Sequence, residues 1–154
     1  MTEFISRENI ISDYLLAECR ERGEVLTHLK LQKLLYYSQA WFLAIHDVEL
    51  FEEDFKAWVH GPVLVSQYHR FKQYGWKPLE VDIERPNLNE REVSHLDEVV
   101  DIFGTETAVS LELMTHRERP WLDARGDALP HEPSSAVISK ISMKDYYRSV
   151  GGND

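Results

Sequence analysis

Seven histidines, at positions 28, 46, 60, 69, 95, 116 and 131, and one cysteine, Cys19, are the residues of this 154-residue chain best suited to hold a metal or attack a substrate. Their spacing supports neither role. There is no His-x-x-x-His pair and no His-Glu-x-x-His helix, so no two imidazoles share a helical face as zinc sites require, and a lone cysteine completes no zinc pattern. His60 and His69 could meet across a turn at Gly61-Pro62, but ordinary hydrogen-bonding histidines fit the spacing better. Cys19 falls within an amphipathic helix, lacks any local protease signature and reads as inert. The seven glycines are scattered, not gathered into a phosphate-binding loop. Acid pairs such as Glu52-Glu53 and Glu90 with Glu92 have no apolar surroundings to shift their pKa, and read as solvated faces. Tyr36, Tyr37, Trp41 and Trp58 could stack on a ligand, yet large aromatics at helical spacing read as core. No catalytic constellation, metal or cofactor is expected. A small hydrolase or metal-dependent enzyme using His60, His69 or His116 is the rival reading.

Two stretches position these residues. From Leu29 onward, Leu31, Leu34, Leu35, Ser38, Trp41, Phe42 and Ile45 recur every three or four residues, as on one face of a helix. Tyr36, Ala40, Leu43 and Ala44 make the opposite side nearly as apolar, with Lys33 its only charge. A helix over about 28–46, capped by Thr27, should therefore be central and enclosed by other elements. Lys30 and Lys33 at its start are expected to snorkel or to pair with Glu52, Glu53 or Asp54. Phe55 to Val59 alternates as a short extended segment and leads to Gly61-Pro62. Gly61 can take backbone angles closed to other residues, and Pro62 presets the first turn of a following helix. The result is a sharp corner with Lys56, Trp58 and His60 beside it.

Around this pair the chain reads as helical. Ser6 caps a helix over 7–22 that Gly23 ends, and Val63, Leu64, Tyr68, Phe71 and Tyr74 mark another that Gly75 stops. Leu79, Val81 and Ile83 alternate with acids over 76–86 in a strand pattern, which could form a two-stranded ribbon with 55–59. Asn89 and Glu92 make a capping box for a helix running to Gly104, and a further helix covers about 106–114. Thr115-x-x-Glu118 offers a second capping box for a short helix containing Trp121. Residues 127–135 form a long loop, 137–141 look extended, Ser142 with Asp145 could cap a last helix through Tyr146 and Tyr147, and 151–154 should fray. The expectation is a mainly α, single compact domain over residues 1–154.

A formal net charge of −10, from 27 acidic and 17 basic side chains, opposes docking on phosphate backbones or anionic lipid and suits a basic partner. A nucleic-acid or membrane partner is not expected, and a DNA-binding regulator would need a basic stripe that is missing. With one cysteine and no apolar run of signal or membrane length, the reading is cytoplasmic.

The helix segment Lys30-Leu31-Gln32-Lys33-Leu34-Leu35-Tyr36-Tyr37, followed by Ala57-Trp58-x-x-Gly61-Pro62-Val63, resembles the Panacea antitoxin family, whose members include phage-associated GepA-like and SocA-like proteins. The likeness extends through Leu111 to His116, Pro120-Trp121 and Tyr146-Tyr147, so it covers roughly residues 5–148. It departs at Val59-His60, where the family pattern has a base followed by tyrosine; His60 keeps an aromatic hydrogen-bonding group. The resemblance implies an antitoxin that neutralises a toxin encoded by an adjacent gene through direct contact, or a SocA-like adaptor that delivers the toxin to an ATP-dependent protease. Leu31, Leu34, Leu35, Tyr36, Tyr37, Trp41, Gly61 and Pro62 are then its structural motif, and Lys30, Lys33, Lys56, Trp58 and His60 the candidates for partner contact.

Overall fold

A computed structural model describes residues 5–151; most of the tail expected to fray, 152–154, lies outside them. The described chain is mainly α, with seven α-helices and one small ribbon. Helix α1 (Arg7–Glu21) starts where the Ser6 hydroxyl accepts the Asn9 N–H, and α2 (His28–His46) where Thr27 accepts that of Lys30. Two strands follow, β1 (Lys56–Trp58) and β2 (Gly61–Val63), then α3 (Val65–Phe71) with a 3-10 turn at Lys72–Tyr74. Helix α4 (Glu90–Phe103) carries the Asn89–Glu92 capping box. Helices α5 (Ala108–Thr115), α6 (Arg119–Arg125) and α7 (Lys140–Val150) complete the order. Among the described residues no helix is long and apolar enough to cross a membrane.

Helix α2 is the enclosed centre that its all-round apolarity predicts: every residue from Lys30 to Ala40 is buried. Helices α1, α3, α4, α5 and α7 and strand β2 pack around it. Tyr37 stacks on Phe103 of α4, and Trp41, half-buried, leans on Tyr147 of α7. Ile45 departs from the expected core face, being 59% exposed. At the C-terminal end, Asp47 adopts the left-handed conformation (φ 57°) and donates its N–H to Leu43, a geometry that short polar side chains tolerate.

The ribbon is built differently from the expected one. Strand β1 pairs antiparallel with β2, Lys56 opposite Val63 and Trp58 opposite Gly61, and not with 76–86. Its other edge is taken by 136–138, where Ala57 donates to Ala136 O and Ile138 donates to Phe55 O. Pro62 therefore does not begin a helix. It stands opposite Ala57, whose N–H points the other way, so the missing proline donor costs no ladder bond. Residues 76–86 stay irregular, tied down at Leu79, whose N–H reaches Leu26 O and whose carbonyl accepts from Arg20.

Two expected caps also move. Thr115 donates its hydroxyl back to Glu112 O inside α5, so α6 begins at Glu118 without a side-chain cap. Ser139 caps α7, in place of Ser142, which lies one turn inside the helix and supplies the capped N–H.

Candidate functional site

The corner between β1 and β2 is held from beneath by polar side chains of α2 and α6. Gly61 has φ +111°, outside the range of ordinary residues, and a Cβ there would lie 2.5 Å from Lys33 Cε and 3.1 Å from Thr115 Oγ1. Glycine is thus required twice, by backbone angle and by the lysine packed against it. Buried Arg125 donates to Ala57 O at 2.9 Å, to Leu129 O and to Glu132 O, with its guanidinium over the Trp121 ring. That indole in turn donates to Trp58 O at 2.9 Å. One helix turn therefore fixes two successive carbonyls of β1 and ties the 127–135 loop to them. Where β2 runs into α3, Gln32 brackets the Leu64 backbone: its Oε1 accepts the N–H at 2.8 Å and its Nε2 donates to the carbonyl at 3.2 Å. Gln39, two turns along α2, brackets the N–H of Leu50 and the carbonyl of Phe51 in the same way.

Those bonds also settle the state of His28. The Leu64 bracket fixes which end of the Gln32 amide is nitrogen, so the 3.1 Å contact with His28 has Gln32 donating and His28 Nε2 accepting. Its proton resides on Nδ1. Burial, with Lys33 nearby, pushes the ring down to about 4, so His28 is neutral at physiological pH.

Beneath Gly61 lies a group of titratable side chains. Lys33 is fully buried, and its Nζ has no hydrogen-bond partner among the described residues. Burial pushes it down to about 7, against the attraction of Glu112. That carboxylate accepts from His60 Nδ1 at 3.2 Å. His116, stacked on Trp121 at 4.1 Å, has its Nε2 buried without a partner, and burial lowers its pKa. Three basic groups thus share one carboxylate.

The structure brings some expected contact residues together and separates others. His60 is exposed at the corner, while Lys56 and Trp58 are half-buried in β1. Lys30 is buried, with its Nζ donating to Gly104 O at the end of α4 and 3.9 Å from Glu24. Neither it nor Lys33 pairs with Glu52, Glu53 or Asp54: Glu53 accepts from Ser66, and Asp54 from Lys140. Two pockets flank Trp58, one of about 290 Å³ against α3 and one of about 280 Å³ against 133–135. His69 sits against Tyr68, apart from the partners of His60 and His116. Among the described residues no group of three or more His, Cys, Asp or Glu could hold a metal ion. Cys19 is buried, which pushes its thiol up to about 11.

Gln32, Glu112, Arg125 and Trp76 are site residues that the motif reading passed over. Gln32 stood inside the quoted motif, and a glutamine on an otherwise enclosed helix is a signal that its amide has backbone to satisfy.

A family model described as "Antitoxin SocA-like, Panacea domain" matches residues 31–122, more than half of the chain. The matched interval runs from α2 through the ribbon into α6, and includes Lys33, Gly61, Thr115 and Trp121. No curated protein and no solved structure matches.

Proposed function

Because the chain belongs to the SocA-like antitoxin family through its Panacea domain, we propose that it neutralises a toxin encoded by an adjacent gene by direct contact at the Gly61-Pro62 corner. The observation that carries this reading is the prefixed backbone of the corner. Ala57 O, Trp58 O and Leu64 are each bonded to a buried side chain, so a partner meets Trp58 and His60 at small cost in ordering, and aromatic anchors of this kind often dominate interfaces. Lys56, Trp58 and His60 supply the contact, whereas Lys33 acts from below by shaping the corner, and Lys30 by holding the end of α4. Both steric blocking and delivery to an ATP-dependent protease begin from this contact.

Co-expression with the neighbouring open reading frame tests the reading. Growth inhibition should be relieved and the two products should co-purify; a harmless neighbour, or no complex, removes the antitoxin role. Lys56→Glu and His60→Ala should lower toxin affinity with the melting temperature unchanged, and unaltered affinity in both moves the contact elsewhere.

A further inference from the structure

The 290 Å³ groove between β1 and α3 has an unusual wall for this chain. Trp58, Tyr68, Trp76, His28 and His60 present rings to it. Trp58 meets Tyr68 edge-on at 5.0 Å, His28 lies 5.6 Å from Tyr68, and Trp76 is 78% exposed. An exposed indole that lines the same groove as a second indole has no role in the core, but it is the arrangement of a side-chain receptor. Acid is also missing from its lining: in a chain with 27 acidic residues, no carboxylate among the described residues lines either pocket beside Trp58, and the lysine at this one is Lys72.

We propose that this groove receives a bulky apolar side chain of the toxin, aromatic in preference, carried next to a carboxylate that meets Lys72. The inference rests on the antitoxin reading for the identity of the occupant. The net charge of −10 does not oppose it: screening confines exposed charge to roughly 8–10 Å. The global acidity therefore steers a basic partner toward the molecule, while the groove selects locally for what its own edge can pair. Neutral His28 adds a flat wall without adding charge.

The probes are N-acetyl-L-tryptophan and its uncharged amide, added to the full chain with its four indole N–H groups, of Trp41, Trp58, Trp76 and Trp121, followed by NMR. The acid should move the Trp58 and Trp76 signals and leave Trp41 in place. The amide should bind about threefold more weakly, the share expected of one exposed lysine, and Lys72→Gln should erase that difference without changing the melt. Equal binding of acid and amide, shifts at Trp41 instead, or no binding of either overturns the proposed chemistry. In parallel, Trp76→Ala and Lys72→Gln should each weaken the toxin complex. A toxin that binds both variants as tightly as the parent overturns the groove and leaves the antitoxin reading intact. A groove that takes the probe in a protein that binds no toxin overturns the toxin as occupant.

Discussion

The α1–α4 face and the β1–β2 corner are both anchored on α2, but they are held by opposite means. On the first, apolar residues such as Leu15, Leu96 and Val100 fill the interface and charged pairs ring it: Arg7 with Glu92, Arg22 with Glu18 and Asp101, and Arg85 with Glu18 and Glu21. Each cation there has a carboxylate and some exposure to solvent. At the corner Arg125 and Lys33 are buried, and among the described residues neither makes an ion pair, since the nearby Glu112 is bonded to exposed His60. Arg125 directs its donors to carbonyls, and among the described residues Lys33 Nζ has no hydrogen-bond partner. The face owes its stability to patterned burial that tolerates the loss of any one charge. The corner depends on individual polar side chains: Arg125, Trp121 and Gln32 each hold backbone of β1 or Leu64.

The sharpest way to break this contrast is Gly61→Ala. The new methyl meets Lys33 and forces a residue with a Cβ into φ +111°, which together should cost on the order of 3 kcal/mol in denaturant unfolding. Adding Lys33→Ala should recover part of that loss, because the clash goes and the backbone strain stays. A double variant no more stable than Gly61→Ala would show that the lysine does not dictate the glycine.

A smaller, pH-dependent effect separates the regions further. Lys33 titrates at about 7 in the fold and near 10.4 when unfolded. Between those values the unfolded chain binds the extra proton, so this group makes stability rise with pH from about 7 toward 10, and the contribution is absent below pH 7. Lys33→Met should flatten the rise relative to the parent and stabilise the protein most at neutral and lower pH. Parallel stability–pH curves for the two proteins would refute it. The smallest effect belongs to the face: Arg22→Ala removes pairs that are partly solvated and should cost about 1 kcal/mol or less.

What the amino-acid sequence made legible follows the same division. The caps at Ser6, Thr27 and Asn89–Glu92 are local, and so is the periodicity of α2, so they could be read without knowing what lies across from them. The partner of β1 is a tertiary choice between two nearby segments, and alternation at Leu79, Val81 and Ile83 reported only half-burial. Thr115-x-x-Glu118 matched a capping box, but Glu118 is engaged by the hydroxyls of Tyr37 and Tyr147, while Thr115 bonds within its own helix. A lysine or arginine in sequence reads as surface, so Lys33 was expected to snorkel even on a helix read as enclosed, and nothing local marks Arg125 as buried. The motif located the corner; the groove beside it was out of reach, because Tyr68, Trp76 and His28 come together only through α3 and α2.

The brackets at Gln32 and Gln39 have an evolutionary consequence. Seven residues along α2 place them about 10 Å apart on nearly one side of the helix, and they pin Leu50 and Leu64, the two ends of an arch of chain. With both springing points fixed, and Ala57 and Trp58 held within the arch, its crown is Val59 and His60, whose side chains take no part in those bonds. On the contact proposed above, a lineage that changes Val59 or His60 would alter recognition and keep the bonds that hold the arch.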